Sequence, residues 1–188
     1  MTTPAELKEI IERNQKALRL RPSIGKGTAT TTVKVRSGVT CDIEDGGWKL
    51  VADESAGDGG AGLGPDPGVF GRSALGTCLA IGYVQWAAVM EIPLDAVEVT
   101  VEADYNAAAM FAVDDSAPPG WGAIRCTVEI SSPAGEERVR ELVHIFLEPL
   151  SLVSESKFGA LRGRALRDGP GNATLVGHSQ DQTFFSFQ

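Results

Sequence analysis

Residues Ala74–Met90 form a run of 17 amino acids without a formal charge, and this run most constrains how the chain can fold. An apolar segment between polar turn sequences predicts a helix that is buried on most of its sides. Pro93 cannot continue a helix, so we expect the helix over about residues 68–91. The other elements must then pack around it as the shell of one core.

The same run does not predict a transmembrane helix. Such a helix needs about 20 apolar residues, and this run is interrupted by Gln85 and by the glycines Gly76 and Gly82. Glu91 and Asp95 follow it without the Lys and Arg residues that flank membrane spans. We therefore expect no membrane association.

Composition and charge exclude further classes of function. The 188 residues are 43% hydrophobic and 22% charged, which is typical of a globular domain with a proper core. The formal net charge of −8 opposes binding to phosphate backbones, so nucleic acid is not an expected partner. The N-terminal sequence lacks the apolar segment of a secretory signal, which favours a cytoplasmic location.

The regular patterns predict an α+β fold. Thr3-Pro4-Ala5-Glu6 is a typical helix start, so residues 1–22 are expected to be an N-terminal helical extension. Residues 28–55 alternate like an antiparallel meander with one buried face. Residues 97–105 and 124–130 read as two further strands, and Ser132-Pro133 opens a third helix. Strands grouped apart from helices are typical of the α+β class rather than of a parallel α/β sheet.

These elements give the expected domain organisation. Residues 1–150 are predicted to form a single domain. Residues 151–188 form a tail rich in Gly, Ser and Arg, in which the sequence predicts no helix or strand.

The sequence Gly57-Asp58-Gly59-Gly60-Ala61-Gly62 matches the dinucleotide-binding pattern GxGxxG. A phosphate-binding loop opens its helix within these glycines, whereas here Pro65 and Pro67 still precede the helix. Prolines also lack the N–H groups that would bind phosphate. We expect a tightly turning loop, not a nucleotide site, and no cofactor.

The three cysteines, Cys41, Cys78 and Cys126, are widely spaced and include no CxxC pair. This argues against a disulfide framework or a metal site. Cys41 and Cys126 fall on the apolar phase of predicted strands and are expected in the core. Cys78 lies near the start of the central helix, where the partial positive charge of a helix N-terminus would favour the reactive thiolate. The alternative is that Cys78 only packs, as most buried cysteines do.

A succession of short motifs resembles the OsmC-like family, the osmotically inducible and organic-hydroperoxide-resistance proteins. The motifs are the glycine loop, Gly64-Pro65-Asp66-Pro67, Cys78 eleven residues after the last proline, and the strand entry at residues 92–99. The resemblance covers about residues 28–130 and extends through the third helix. It implies an α+β homodimer in which antiparallel sheets wrap the long central helices.

The resemblance also implies a chemistry. The best-known members of the family are thiol peroxidases, related in activity to peroxiredoxins and involved in stress responses. In these proteins an arginine stabilises the thiolate and a carboxylate orients that arginine. Cys78 matches the peroxidatic cysteine, and Arg36 is the candidate arginine. An external thiol would serve as the reductant.

The chain departs from the family pattern at two positions. Gly68 stands where the family has the orienting glutamate, and Glu148 stands where it has the resolving cysteine. The expected function is therefore reduction of organic hydroperoxides by Cys78 alone, without a resolving cysteine. The alternative is a non-catalytic member of the family that binds a small apolar ligand.

Overall fold

The computed structural model describes residues 2–117, 119–144, 162–167 and 172–178. Two compact units are distinguished, one of residues 14–74 and one of residues 1–13 with 75–188. The helices are α1 (Pro4–Leu20), α2 (Pro67–Val89), α3 (Ala107–Met110) and α4 (residues 136–144). The strands are β1 (Thr32–Ser37), β2 (Thr40–Asp45), β3 (Trp48–Ala52), β4 (Ala96–Tyr105), β5 (Trp121–Ser131), β6 (Arg162–Arg167) and β7 (Asn172–His178).

The first helix begins with the capping box that the sequence predicts. The Thr3 hydroxyl oxygen accepts the backbone N–H of Glu6 at 3.3 Å, and the Glu6 carboxylate accepts the backbone N–H of Thr3 at 2.7 Å. Two N–H groups that the helix itself cannot satisfy are thereby bonded. The predicted N-terminal helix is confirmed and ends at Leu20.

Strands β1, β2 and β3 form the predicted antiparallel meander, with Val33 opposite Ile43 and Ile43 opposite Leu50. Residues directly opposite each other lie on one face of a sheet, so this face is apolar. It also carries Val35, Cys41, Trp48 and Ala52, whereas Lys34, Arg36, Asp42, Glu44 and Lys49 lie on the other.

The expectation that the apolar face of the meander is buried is wrong for the single chain. Val35 is 68% exposed and Trp48 is 75% exposed, and Val33 and Leu50 are exposed as well. Cys41 is half-buried, not part of the core. Alternation places these side chains on one face, but only a covering layer removes them from water, and within one copy the face remains largely open.

Strands β4 to β7 form a second antiparallel sheet, in the order β4-β5-β7-β6. The register sets Val99 opposite Val128 and Val101 opposite Cys126. Both strands that the sequence predicts are confirmed. Strands β6 and β7 lie in residues 151–188, where the sequence predicts no element. Strand β7 pairs with β5, and β6 pairs with β7, so both extend the sheet.

The core lies between this sheet and the helices α2 and α4. It contains Leu79, Tyr83, Ala87, Ile92, Cys126, Val128, Ile130, Val139, Leu142 and Val143. A fully buried side chain of this kind stabilises the fold by about 1.5–3 kcal/mol. Burial also raises the pKa of Tyr83 to about 12, so this side chain stays neutral. Cys126 is buried here, as predicted.

Helix α2 approaches strand β4 closely at one of its glycines. A Cβ atom on Gly76 would lie 3.3 Å from Cγ2 of Val101, which leaves little room for a larger residue. The helix ends at Val89, before the proline that predicts its end. The N–H of Ile92 donates to the carbonyl of Ala87 at 2.9 Å, and Glu91 adopts a positive φ of 56°. This arrangement is a typical helix C-cap.

The third predicted helix begins later than its capping sequence suggests. Ser132 is buried, donates its hydroxyl to the carbonyl of Pro93 at 2.5 Å and accepts the N–H of Ala134 at 3.1 Å. Helix α4 itself begins at residue 136. Ser132 thus links two connecting segments. The predicted fold class, α+β, is confirmed, and the described strands form two antiparallel sheets.

Candidate functional site

Cys78 lies on the exposed side of helix α2. Ile81 and Val84 follow it at helical spacing and are 58% and 43% exposed, whereas Leu79 and Tyr83 point the other way into the core. The side of α2 formed by Thr77, Cys78, Ile81, Val84 and Gln85 is called the cysteine face below. The sulfur is therefore open to solvent, and the alternative that Cys78 is sealed in apolar packing does not hold for the single chain.

The other two cysteines have different surroundings. Cys126 is buried, and burial raises the pKa of its thiol, which keeps the reactive thiolate scarce. Cys41 is half-buried, and its Sγ lies 3.6 Å from the carbonyl oxygen of Val39. Of the three cysteines, Cys78 has the exposure that a reactive thiol requires.

The helix N-terminus does not stabilise a Cys78 thiolate, contrary to the sequence interpretation. Helix α2 begins at Pro67, so Cys78 lies about three turns inside it. The partial positive charge of a helix acts only within its first turn. Residues 74–90 also contain no Lys or Arg. The positive charge that a peroxidatic thiolate needs must come from outside this run of residues.

Arg36, the predicted partner of the thiolate, lies on the polar face of the meander. Its Nε donates to Oδ2 of Asp42 at 3.0 Å, and a second bond joins Nη2 to Oδ1 of the same carboxylate. This bond lowers the pKa of Asp42 and raises that of Arg36. Cys78 and Arg36 belong to different units, so their pairing stays a prediction.

The start of α2 contains Gly68, the position at which the resemblance implies an orienting glutamate. Asp66 caps the helix, since its Oδ1 accepts the N–H of Val69 at 3.1 Å. A Cβ atom on Gly68 would lie 2.8 Å from that Oδ1 and 2.9 Å from Nη1 of Arg72. The position is crowded by a carboxylate and a guanidinium and holds no carboxylate of its own. Glu148, the other departure, lies outside the described residues.

The glycine loop is organised around Asp53, a residue that the sequence analysis did not single out. Asp53 is only 2% exposed, and its carboxylate accepts the N–H groups of Glu54 at 2.9 Å and of Ala61 and Leu63 at 3.1 Å. The N–H groups that a phosphate would need are therefore bonded to a carboxylate of this chain. This supports the interpretation of the glycine pattern as a tight turning loop. The sequence signal that could have identified Asp53 is an aspartate between an apolar strand and a glycine run.

These bonds predict a pH-dependent stability. The N–H of Leu63 contributes most to lowering the pKa of Asp53 below its usual range. The part of the folding stability that these bonds supply is therefore fully present above the pKa that this carboxyl group has in the unfolded chain, about 3.9. It is lost as the pH falls through the lower pKa of the folded state. We expect Asp53→Asn to flatten the pH dependence of the melting temperature below pH 4 and to lower that temperature by about 5 °C at pH 7.

The matched control is Asp115→Asn, which changes an exposed carboxylate. The melting temperatures of both variants are measured between about pH 2.5 and about pH 7, a range that brackets the usual carboxyl pKa of about 3.9. The comparison separates the effect of losing the Asp53 bonds from a general loss of negative charge. Equal melting curves for the two variants would show that the Asp53 carboxylate does not hold the loop.

Within the described residues, no group of three or more His, Cys, Asp or Glu side chains is placed to hold a metal ion. None of the helices in the described ranges has the length and hydropathy needed to cross a membrane.

The fold and the site together define a class of protein: an α+β domain whose long apolar helix carries an exposed cysteine. The family model for the OsmC-like proteins matches residues 57–156, which is more than half of the chain. The chain belongs to the OsmC-like family. The predicted family is thereby confirmed, together with its fold class. No curated protein matches the chain.

Two solved structures are similar to this one. The first comes from Psychrobacter arcticus 273-4 and is described as an osmotic stress induced and detoxification response protein. It has a TM-score of 0.50 and 14% sequence identity, over 65% of this chain and 84% of that chain. The second is an organic hydroperoxide resistance protein OsmC from Legionella pneumophila, with a TM-score of 0.44 and 18% identity, over 69% and 90% of the two chains.

Proposed function

We propose that this protein reduces organic hydroperoxides through Cys78 alone, with an external thiol as its reductant. The observation that carries the proposal is the exposure of Cys78 on an apolar, charge-free helix face in a member of the OsmC-like family. The name of the Legionella protein, an organic hydroperoxide resistance protein, supports the choice of substrate class. A role in peroxide or stress defence follows.

The reaction is a two-electron reduction of the peroxide. The Cys78 thiolate attacks the terminal oxygen of the hydroperoxide, the O–O bond breaks, and the alkoxide leaves as an alcohol after taking a proton. The cysteine is oxidised to sulfenic acid. An external thiol then condenses with the sulfenic acid to a mixed disulfide and water, and a second external thiol releases the Cys78 thiol and a free disulfide.

The apolar neighbours of Cys78 suit this substrate class. Ile81 and Val84 present aliphatic surface on the same face, so an alkyl or aryl hydroperoxide would lose water-exposed apolar area on binding. Hydrogen peroxide has no such area. We expect a preference for organic hydroperoxides over hydrogen peroxide.

Arg36 is proposed to stabilise the thiolate. Its guanidinium is bonded to Asp42, so that carboxylate would orient it as the family's glutamate orients the arginine elsewhere. The matched comparison uses Lys34, which lies two residues away on the same strand and the same face. Arg36→Gln should slow peroxide reduction, whereas Lys34→Gln should leave the rate unchanged, and equal effects would remove Arg36 from the site.

A homodimer is proposed as the functional form. Exposed apolar side chains lie on the apolar face of the meander and on the cysteine face of α2. A single soluble chain rarely leaves this much large apolar surface open to water. Association of two copies would bury both surfaces, and light scattering during size-exclusion chromatography measures the resulting mass.

The experiment that tests the proposed function traps the intermediate. The reduced protein is mixed with cumene hydroperoxide in the presence of dimedone, which labels sulfenic acids, and the label is located by mass spectrometry. We expect labelling at Cys78 and consumption of the peroxide when a small dithiol is supplied. Labelling confined to Cys41, or no peroxide consumption with any thiol, would overturn the proposal.

A non-catalytic ligand-binding protein is the second candidate. The crowded Gly68 position favours it, because the side chain that would orient an arginine is missing there. A protein of this kind would bind cumyl alcohol, the alcohol that reduction of cumene hydroperoxide yields, as tightly after Cys78→Ser as before and would consume no peroxide.

A further inference from the structure

Positive charge is concentrated in one part of this acidic chain. Residues 13–41 contain seven of the 17 Lys and Arg residues and none of the 25 Asp and Glu residues. Four of these cations lie in the last turns of helix α1 and in the short helical turn that follows it: Lys16, Arg19, Arg21 and Lys26. Residues 16–26 are called the basic segment below. This local excess stands out in a chain with a net charge of −8 and requires an explanation.

The four cations of the basic segment are exposed, and no carboxylate of the described residues lies within ion-pair distance of them. Lys8, in the first half of the same helix, differs from them. Its Nζ lies 2.7 Å from Oε1 of Glu91 and 3.8 Å from Oε1 of Glu12. The charge of Lys8 is therefore compensated within the chain, whereas the charge of the basic segment remains available to an external anion.

Two large aliphatic side chains are exposed among these cations. Leu20 is 79% exposed and Ile24 is 55% exposed. Residues four apart are neighbours on the surface of a helix, so Leu20 lies beside Lys16. Ile24 lies in the turn between Arg21 and Lys26. The segment thus combines positive charge with apolar surface.

The turn that follows α1 is held against the helix. The N–H of Arg21 donates to the carbonyl of Ala17 at 2.9 Å, and the N–H of Ile24 donates to the carbonyl of Arg21 at 3.2 Å. A Cβ atom on Gly25 would lie 2.7 Å from Cδ2 of Leu18, so the turn packs closely on α1. The basic segment lies within one compact unit of the chain. Its cations and aliphatic side chains therefore form one preformed surface.

Helix stability accounts for only part of this pattern. A cation in the last turn of a helix interacts favourably with the negative end of the helix dipole, and Arg19 lies in that turn. Lys26 lies beyond α1, and the exposed Leu20 and Ile24 gain nothing from a dipole. Exposed cations that alternate with exposed aliphatic side chains are typical of segments that lie on a membrane surface.

We propose that the basic segment binds the surface of an anionic lipid bilayer. Its Lys and Arg side chains contact the phosphate groups of the lipid heads, and Leu20 and Ile24 enter the boundary between the heads and the acyl chains. Nucleic acid would also attract the cations, but it offers no apolar layer, and residues 16–26 include no aromatic side chain that could stack on bases. The proposal goes beyond the peroxidase function and does not depend on it.

This contact revises the expectation of no membrane association, which followed from the properties of the central helix. A surface contact needs no spanning helix, and the described residues contain none. The acidic remainder of the chain opposes the contact only weakly, because charges more than about 10 Å from the bilayer surface are screened at ~0.1 M salt. Local charge decides the contact, and in the basic segment that charge is positive.

Vesicle sedimentation tests the proposal on the full chain. The protein is mixed with vesicles of phosphatidylcholine alone or of phosphatidylcholine with phosphatidylglycerol, and the bound fraction is measured at increasing lipid and salt concentrations. We expect binding to the anionic vesicles and not to the neutral ones, and the affinity should fall as the salt concentration rises. Absence of binding to the anionic vesicles at low salt would overturn the proposal.

A charge variant locates the contact through three substitutions: Lys16→Gln, Arg19→Gln and Arg21→Gln. Each cation near an anionic surface strengthens binding about fivefold, so we expect the affinity of this variant to be about 100-fold lower. The control has the same net charge but loses three exposed cations from other elements: Lys34→Gln, Lys49→Gln and Arg140→Gln. Its affinity should stay close to that of the native chain. Equal losses in the two variants would show that only overall charge matters and would overturn the assignment to this segment.

An aliphatic variant distinguishes a bilayer from other polyanions. Leu20→Ser with Ile24→Ser should lower the affinity for the anionic vesicles about tenfold, because two apolar side chains no longer leave water on binding. Leu63→Ser, which changes a residue that is 61% exposed in the glycine loop, should leave the affinity unchanged. Circular dichroism checks that every variant keeps the helix content of the native chain.

Two results would assign the segment to another partner. Unchanged affinity in the aliphatic variant would refute insertion into the bilayer and leave a contact by the cations alone. Tighter binding of polyglutamate or duplex DNA than of the anionic vesicles would indicate an acidic protein or a nucleic acid and would overturn the lipid assignment. Peroxide consumption is not part of any of these measurements, so their outcome is independent of the proposed peroxidase activity.

Discussion

Replacing Cys78 with serine is expected to abolish peroxide reduction, with a loss of at least about 10³-fold in kcat/KM. The hydroxyl oxygen of serine has the same position but stays protonated at neutral pH, so it cannot attack the O–O bond at a useful rate. The fold should be unaffected because Cys78 is exposed and fills no space in the core. Peroxide consumption with a dithiol, followed at several concentrations, measures the loss.

The other two cysteines supply matched controls. Cys41→Ser should keep the activity, since Cys41 is proposed to have no part in the cycle. Cys126→Ser places a hydroxyl in the core and should lower the melting temperature, while the folded fraction keeps its activity. Full activity in Cys78→Ser would assign the chemistry elsewhere. Loss of activity in Cys41→Ser would show that a second thiol resolves the sulfenic acid.

The Cys78→Ser variant also distinguishes the two candidate functions, the peroxidase and the ligand-binding protein. For a peroxidase, Cys78→Ser removes turnover and leaves the affinity for cumyl alcohol. For a binding protein, the native chain consumes no peroxide, and the serine variant has the same affinity for cumyl alcohol and the same lack of turnover as the native chain. If the native protein shows no peroxidase activity but binds the alcohol measurably, this result therefore favours a ligand-binding function.

Local patterns were sufficient to predict most of the helices and strands. The capping box at Thr3, the period-two alternation of β4 and the apolar run of α2 each correspond to an element of the structure. Such patterns act between neighbours in sequence, so one chain suffices to read them. Strand β7 gave no such signal, because its pairing with β5 depends on residues more than forty positions away, and β6 in turn pairs with β7.

What covers an apolar face cannot be read from its alternation. Val33 and Val35 have the pattern of a buried strand face, yet they are exposed in one copy. Periodicity indicates which residues lie together, whereas burial depends on another layer, within the chain or from a partner. The same distinction applies to Cys78, whose apolar neighbours in sequence suggest burial although the sulfur is exposed.

The candidate site was only partly predictable for the same reason. The family motif located Cys78, but the expected benefit of a helix N-terminus was wrong, because α2 begins at Pro67, close to its predicted start, and Cys78 lies eleven residues further on. Asp53 was missed because its role depends on three N–H groups of a folded loop. The glycine pattern, which matches a dinucleotide-binding motif but was predicted to form a tight turn, reflects close contact of backbone with backbone.

That contact leads to the largest expected effect on stability, at Gly60. A Cβ atom on Gly60 would lie 2.0 Å from the carbonyl oxygen of Glu54 and 2.8 Å from Oδ1 of Asp53. Real atoms do not approach so closely, so the loop must shift and its bonds to Asp53 must stretch or break. We expect Gly60→Ala to lower the free energy of unfolding by about 3 kcal/mol and the melting temperature by about 10 °C.

Two glycines of the same unit make the comparison specific. A Cβ atom on Gly57, in the same loop, would meet its nearest atom at 3.5 Å, and one on Gly47, in the β2–β3 turn, would meet nothing within 4 Å. Gly57→Ala and Gly47→Ala should therefore change the free energy of unfolding by less than about 1 kcal/mol in either direction. Urea unfolding of the three variants measures the differences. If all three were equally stable, the glycines would serve flexibility and not close packing, and the close approach of Gly60 to Glu54 and Asp53 would not constrain the loop.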